Sequence, residues 1–294
     1  QMLRISIALL LAGAVLLSPA GAAEQWDNYT EEKGQLPGDR IQFLETDEDG
    51  NVWIGTLTGL GRFADGKFSV LTGPDGKAIR VQVWDVLRTG PGRWWVGAEN
   101  GALLIDGGKV QRHLAGKSVA QVLPFGKDGL IAKVNDAVFT YDGADWKEME
   151  FFRGKRPEIL TPTSGGAVWV TVEANGVYVV DPADPQAAPA HHLRGTSVKV
   201  VHEDARKRIW CGMWGAGVMV LEKGQWRRHL AEEKSYVLHI RDDAAGNVWV
   251  ATSAHGLFRY DGERWVNDLR EEGSINMLET TPDGKVWIST QGQG

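Results

Sequence analysis

The chain has 294 residues with 13 Trp, 37 Gly, 1 Cys and a formal net charge of −6. One cysteine excludes a disulfide framework and any Cys-built zinc or iron–sulfur centre, and the acidic balance argues against a nucleic-acid partner, which needs a basic face. Glycine stands well above its ordinary share of about 7%, without a Gly-X-Y period or a Pro-rich stretch, so the chain is neither collagen-like nor a disordered linker.

Arg4 precedes an apolar run from Ile5 to Leu17, followed by Ser18-Pro19-Ala20-Gly21-Ala22-Ala23. A basic start, a short apolar stretch and small residues at a cleavage site predict a secretory signal peptide over residues 1–22. The run falls short of the roughly 20 residues that cross a bilayer as a helix. No cysteine follows it, so no lipoprotein anchor is expected. The mature protein is expected to be periplasmic or secreted.

From Asp47 onward one unit recurs. Asp49-Gly50-Asn51-Val52-Trp53-Ile54-Gly55-Thr56 returns around Trp95, Trp169, Trp210, Trp249 and Trp287, with a degenerate copy at Asp128 to Ala132 that places Leu130 in the Trp slot. The anchors follow one another at about 40 residues, a period typical of propeller blades. In the sixth copy, Val237 to Ile240 reads as a first strand, Asp243 to Gly246 as a turn and Val248 to Thr252 as a second strand. Leu257 to Tyr260 reads as a third, and Asp261-Gly262 opens a fourth containing Trp265. Asp-Gly between two apolar runs is a strong hairpin signal, and no repeat carries a sustained helical period.

These units predict an all-β, seven-bladed β-propeller of four-stranded antiparallel blades over residues 23–294. Residues 25–30, Gln-Trp-Asp-Asn-Tyr-Thr, match a fourth strand with no first three before them. They are expected to complete, as the closing outer strand, the blade begun at 274–294. That blade is incomplete here: the chain stops where its third strand should begin, which reads as a piece of a longer protein.

The repeat resembles the two-component regulator propeller repeat. The first copy carries that pattern from Asp47 through Gly50-Asn51, Trp53-Ile54-Gly55-Thr56, Gly59-Leu60, Arg62-Phe63, Asp65-Gly66 and Phe68. The sixth carries it through Gly246-Asn247, Trp249, Gly256-Leu257, Arg259-Tyr260 and Asp261-Gly262, while the second, fourth and fifth keep the Trp and the later Gly101, Gly176 and Gly217 but not the Arg. The resemblance implies the periplasmic sensory part of a membrane-bound signalling protein such as a hybrid histidine kinase, covalently continuous with a transmembrane module. It implies a ligand-binding function without catalysis in this chain, which has no kinase nucleotide-binding motif.

His113, His192 and His229 share one repeat position near the ends of fourth strands, and are expected to point outward and apart, away from any shared metal. His239 lies on a first strand, either facing the channel or satisfied in the core. Asp47-Glu48-Asp49-Gly50-Asn51 fails as a calcium loop because Val52 and Thr58 stand where Gly and Glu are needed. Cys211 aligns with Ile54, Val96, Ile131, Val170, Val250 and Ile288 and reads as a core filler. No metal or cofactor is expected.

The repeats differ most in the loops joining second to third strands, where binding residues tend to be placed. Trp214 is off the repeat pattern, so packing does not account for it. His255, Glu99, Asn100, Glu173 and Asn175 occupy equivalent loops and complete the candidate ligand contacts, although Asn100, Asn175 and His255 each precede a Gly and also suit a turn. The ligand class stays open between a small molecule, a glycan and a protein. A second reading is a propeller enzyme resembling streptogramin lyases, with metal-assisted elimination by Glu173 or Glu99 and His255; Trp53-Ile54-Gly55-Thr56 departs from the W-F-T-E of those repeats. A third is a stand-alone protein-interaction scaffold.

Overall fold

The computed structural model describes residues 32–33, 36–38, 41–46, 52–72, 77–107, 109–185, 187–232, 234–269, 275–280 and 286–290. The expected signal peptide, the closing strand at 25–30, the first turn at 47–51 and the end of the chain lie outside them. Among the described residues no helix is long and apolar enough to cross a membrane.

The protein is all-β and falls into two compact units, divided between Met149 and Glu150. In the first, β1 (Ile41–Thr46), β2 (Val52–Thr56), β3 (Leu60–Ala64) and β4 (Lys67–Val70) make one sheet. Next come β5 (Val83–Gly90), β6 (Arg93–Ala98), β7 (Gly101–Asp106) and β8 (Lys109–His113), then β9 (Val119–Phe125), β10 (Gly129–Val134), β11 (Ala137–Tyr141) and β12 (Trp146–Glu148). The second unit opens with a 3-10 turn, Glu150–Phe152. Its first sheet comprises β13 (Pro157–Pro162), β14 (Val168–Val172), β15 (Val177–Val180) and β16 (Ala190–His192). Its second comprises β17 (Val198–Glu203), β18 (Ile209–Met213), β19 (Val218–Glu222) and β20 (Gln225–His229). A third holds β21 (Val237–Asp242), β22 (Val248–Thr252), β23 (Leu257–Tyr260) and β24 (Trp265–Asn267), and β25 (Ile275–Thr280) pairs with β26 (Val286–Thr290).

Among the described residues these are six four-stranded antiparallel meanders and one two-stranded pair, each in chain order. The arrangement is consistent with a propeller fold. The Asp-Gly signal works locally as expected: Asp65 and Gly66 both take positive φ, 51° and 74°, and join β3 to β4 as a two-residue hairpin.

Each Trp anchor sits on the second strand of its sheet, and Trp53, Trp95, Trp169, Trp210 and Trp249 are all buried, as is Leu130 in the degenerate copy. Cys211 is fully buried among aliphatic neighbours, and burial pushes its thiol far up, so it is inert core material. Within each unit, apolar clusters fill the space between consecutive sheets. One joins Trp53 and Leu60 to Val86 and Leu103, and another joins Trp210 and Val220 to Ile240 and Val250.

The three repeat histidines do not point outward. His113 packs against Trp95 of its own sheet at 4.9 Å between ring centroids and faces Tyr141 of the next sheet at 5.9 Å. His229 lies 5.9 Å from Trp210 and 5.3 Å from Tyr260, and its Nδ1 accepts the Trp265 indole N–H at 3.2 Å. His192 stacks on Trp169 at 5.4 Å. Burial lowers the pKa of all three. Exposed and half-buried positions are interspersed along these outer strands, and the three histidines take half-buried positions, on the side that meets aromatic rings of the next sheet: Tyr141, Trp226 and Tyr260.

Asp85 couples two sheets of the first unit. Its Oδ2 accepts the Val122 N–H of β9 at 2.7 Å and its Oδ1 accepts the Val86 N–H at 3.0 Å. Burial raises its carboxyl to about 6, against the lowering effect of those two donors. A raised folded pKa means that ionisation costs stability, a penalty absent well below pH 4 and complete above pH 6. The stability difference between Asp85→Asn and the parent is therefore expected to shift toward the variant by about 3 kcal/mol as pH rises through that window. Denaturant melts at both ends would show it; a difference independent of pH would contradict the assignment.

Candidate functional site

Five loops share one backbone device. The residue after the second strand donates its N–H to the carbonyl just before the first strand: Glu99 to Gln82, Asn135 to Ser118, Glu173 to Arg156, Trp214 to Ser197 and Ser253 to Tyr236. A second clamp comes from the fourth strand. Arg112 donates to the Asn100 carbonyl, His191 Nε2 to that of Asn175 at 2.7 Å, Arg228 to that of Ala216 at 3.1 Å and Asn267 to that of His255 at 3.0 Å. These loops vary in side chain but are fixed in backbone, which suits a presented binding surface.

In the second unit the device brings two aromatic rings together. Trp214, directly after β18, and Tyr236, directly before β21, form an isolated antiparallel bridge. Their ring centroids stand 4.0 Å apart at an interplanar angle of 37°. Both stay open to solvent, Trp214 at 51% and Tyr236 at 40%, unlike the buried Trp anchors. The Tyr236 N–H is held by Ser253 Oγ at 3.0 Å.

Bulges at the starts of β13 and β17 re-aim side chains beside this pair. Lys199, within the β17 bulge, places its Nζ 5.1 Å from the Trp214 ring centroid and donates to Glu158 Oε1 from the β13 bulge. The second oxygen, Glu158 Oε2, is buried with no hydrogen-bond partner. An aromatic platform thus adjoins a half-buried ammonium–carboxylate pair. Such a surface can stack a flat or ring-bearing group and offers an acceptor at its edge.

The other predicted residues are placed as follows. Glu173 is paired with Arg156 NH1 at 2.9 Å. Asn175 donates through Nδ2 to the Tyr178 hydroxyl at 3.0 Å. His255 sits in the loop after β22, its N–H on Thr252 Oγ1 at 3.1 Å. In the first unit, Glu99 is exposed and Asn100 Oδ1 accepts the Gly116 N–H at 2.7 Å, holding the end of the next loop. The sequence reading missed Tyr236, Lys199 and Glu158. Tyr236 could have been found by the test that singled out Trp214, since it too is an aromatic off the repeat pattern. Trp84, on the β5 bulge of the first unit, is a further exposed aromatic.

Repeated four-stranded meanders with Trp-anchored cores between them define the β-propeller class. A family model described as two component regulator propeller matches residues 35–58. No curated protein matches the chain by sequence. Among solved structures, the fold is similar to the extracellular domain of BT4673 from B. thetaiotaomicron, designated a one component system. The identity is 18% and the TM-score 0.63, over 85% of this chain and 37% of that one. The extracellular domain of BT3049 from the same organism, designated a hybrid two component system, gives 15% and 0.64 over 96% and 41%. Virginiamycin B lyase from Staphylococcus aureus gives 13% and 0.62 over 85% and 92%. At these identities the likeness is one of fold. The chain spans about two-fifths of the length of the two B. thetaiotaomicron domains.

Proposed function

We propose that this chain is the extracytoplasmic recognition part of a longer signalling protein, built as a seven-bladed propeller and acting by binding rather than catalysis. The observation that carries the reading is the solvent-open Trp214–Tyr236 pair, held by backbone bonds at two loops and flanked by Lys199 and Glu158. Aromatic rings left exposed on a rigid frame cost solvation and contribute nothing to a core, so binding accounts for their retention. The partner is a small molecule, glycan or protein segment presenting a ring or planar group. Glu173, Asn175 and His255 belong to the same loop set and would extend the contact surface, as Glu99 and Asn100 would in the first unit. The matched repeat and the likeness to extracellular domains of signalling proteins support the location and the role.

The lyase alternative finds less support. Glu173 is engaged by Arg156, and among the described residues no three His, Cys, Asp or Glu side chains gather as metal ligands.

Trp214→Ala and Tyr236→Ala are each expected to weaken ligand binding about 10- to 100-fold. Both should leave the melting temperature nearly unchanged, because half-exposed rings contribute little to the core. Ligands found by thermal-shift screening of a glycan and metabolite library would be titrated calorimetrically against parent and variants. Ligands that bind both variants as tightly as the parent would overturn this placement of the site.

A further inference from the structure

The components of the exposed platform recur in the second unit with an arginine of the chain as the cation. Arg208 places its guanidinium carbon 4.9 Å from the Trp210 ring centroid and 6.0 Å from that of Tyr260, and its Nε donates to Asp204 Oδ2 at 2.6 Å. Arg259 lies 5.4 Å from the Trp249 ring centroid and donates through Nε to Asp268 Oδ2 at 2.8 Å. In both, one planar cation meets a tryptophan ring and a carboxylate. A guanidinium suits that combination because it is flat, weakly hydrated and forked toward acid oxygens.

The platform has the same parts with a different cation. Trp214 and Tyr236 supply the rings, Glu158 the carboxylate, and Lys199 the charge, its Nζ 5.1 Å from the Trp214 centroid and bonded to Glu158 Oε1. Two features make this filling exchangeable. Lys199 and Glu158 keep 24% and 28% of their side-chain surface exposed, against 9% and 2% for Arg208 and Asp204, and a partly exposed ion pair contributes little that water does not replace. The ammonium also leaves Glu158 Oε2 without a hydrogen-bond partner among the described residues, whereas a forked donor engages both oxygens of a carboxylate.

We propose that the planar group taken by this platform is a guanidinium, stacked on the Trp214–Tyr236 pair and bonded to Glu158 in the place that Lys199 fills. The proposal rests on the placement of the site argued above and adds the class of its ligand. Acetyl-arginine amide is the probe, titrated calorimetrically into the full chain. It should bind saturably below about 20 mM. Capped lysine, which has the charge without the fork, and capped citrulline, which has the shape without the charge, should each bind at least about threefold less tightly. Two substitutions of Lys199 should act in opposite directions. Lys199→Met keeps an apolar stem and removes the competing charge, so the probe should bind at least about threefold more tightly. Lys199→Arg tethers a guanidinium in the site, so binding of the probe should fall at least about tenfold. Lys199→Arg keeps the charge and the pairing, and it decides the matter if Lys199→Met does not fold. Free arginine separates the sources: tighter binding of the capped form assigns the group to an arginine within a peptide segment, and tighter binding of the free form to a small molecule. The proposal is overturned if the probe shows no saturable binding, if capped citrulline or capped lysine binds equally well, or if Lys199→Arg binds the probe like the parent. Should other ligands depend on Trp214 while no guanidinium compound binds, the site stands and its ligand class falls; probe binding undiminished in Trp214→Ala overturns the placement itself.

Discussion

Replacing Asp204 with alanine is expected to destabilise the protein by about 3–5 kcal/mol, a large part of the 5–15 kcal/mol that holds a typical domain. The carboxylate is almost fully buried and accepts four hydrogen bonds: the Arg206 and Arg208 N–H groups, both at 2.9 Å, the Arg208 Nε at 2.6 Å and the Trp210 indole at 2.7 Å. Its removal strands a guanidinium and an indole that are themselves buried, and stranded donors cost more than the bond contributed. Burial alone would raise the carboxyl, but the donors from Trp210 and Arg208 outweigh it and the net shift is downward. A lowered folded pKa contributes stability that is complete above the unfolded value near 4 and is lost as pH falls through the folded one. Asp204→Asn, which keeps the size and one acceptor, should therefore be less stable than the parent at neutral pH and approach it in acid. Chemical denaturation from pH 7 down to about 3 measures both. A constant gap between Asn variant and parent across that range would refute the ionised assignment. Asp243 makes the same indole contact to Trp249 at 2.8 Å, but its other side-chain donor is Asn247 rather than a buried guanidinium. Asp243→Ala should cost less.

Gly217→Ala is expected to cost roughly 3 kcal/mol, for a reason invisible to any tally of side-chain contacts. Gly217 takes φ +73°, and an added Cβ would stand 2.1 Å from the Leu230 carbonyl oxygen and 2.6 Å from that of His229. Neither obstacle is a flexible side-chain end; both are backbone at the end of β20, where Leu230 itself sits at φ 49°. Gly224 supplies the control. Its φ is +77° but nothing lies within 4 Å, so Gly224→Ala should cost only the left-handed strain of about 1 kcal/mol. The difference between the two melts isolates the close backbone approach; equal losses would remove it. Gly176 repeats the geometry against the Leu193 carbonyl at 2.2 Å, which explains why glycine recurs at this place in the repeat.

Much of this fold is legible in the residues because its determinants are local. A two-residue Asp-Gly hairpin, an alternating strand and a Trp slot each act within a few positions, and repetition multiplies each signal. The Asp204–Trp210 contact was also within reach, since Asp47, Asp204 and Asp243 all stand at the same distance before their Trp. The histidines were misread for a physical reason: a place near the end of an outer strand does not decide which side the ring takes, and each ring turns back onto the Trp of its own sheet and an aromatic of the next. Asn100 and Asn175 show the limit of reading loops by variability, because the Asn100 side chain holds the next loop at Gly116 and that of Asn175 braces its own loop through Tyr178.

By itself the sequence determined the all-β class, the period, the strand order within each repeat and the burial of the Trp anchors and Cys211. All of these follow from backbone preference and hydrophobic alternation along contiguous residues. Only the tertiary structure decided what meets across repeats: Trp214 against Tyr236, Lys199 against Glu158, and His229 against Trp265. Those pairings depend on the stacking of one sheet on the next and on bulges that redirect single side chains, and neither leaves a periodic mark in the chain.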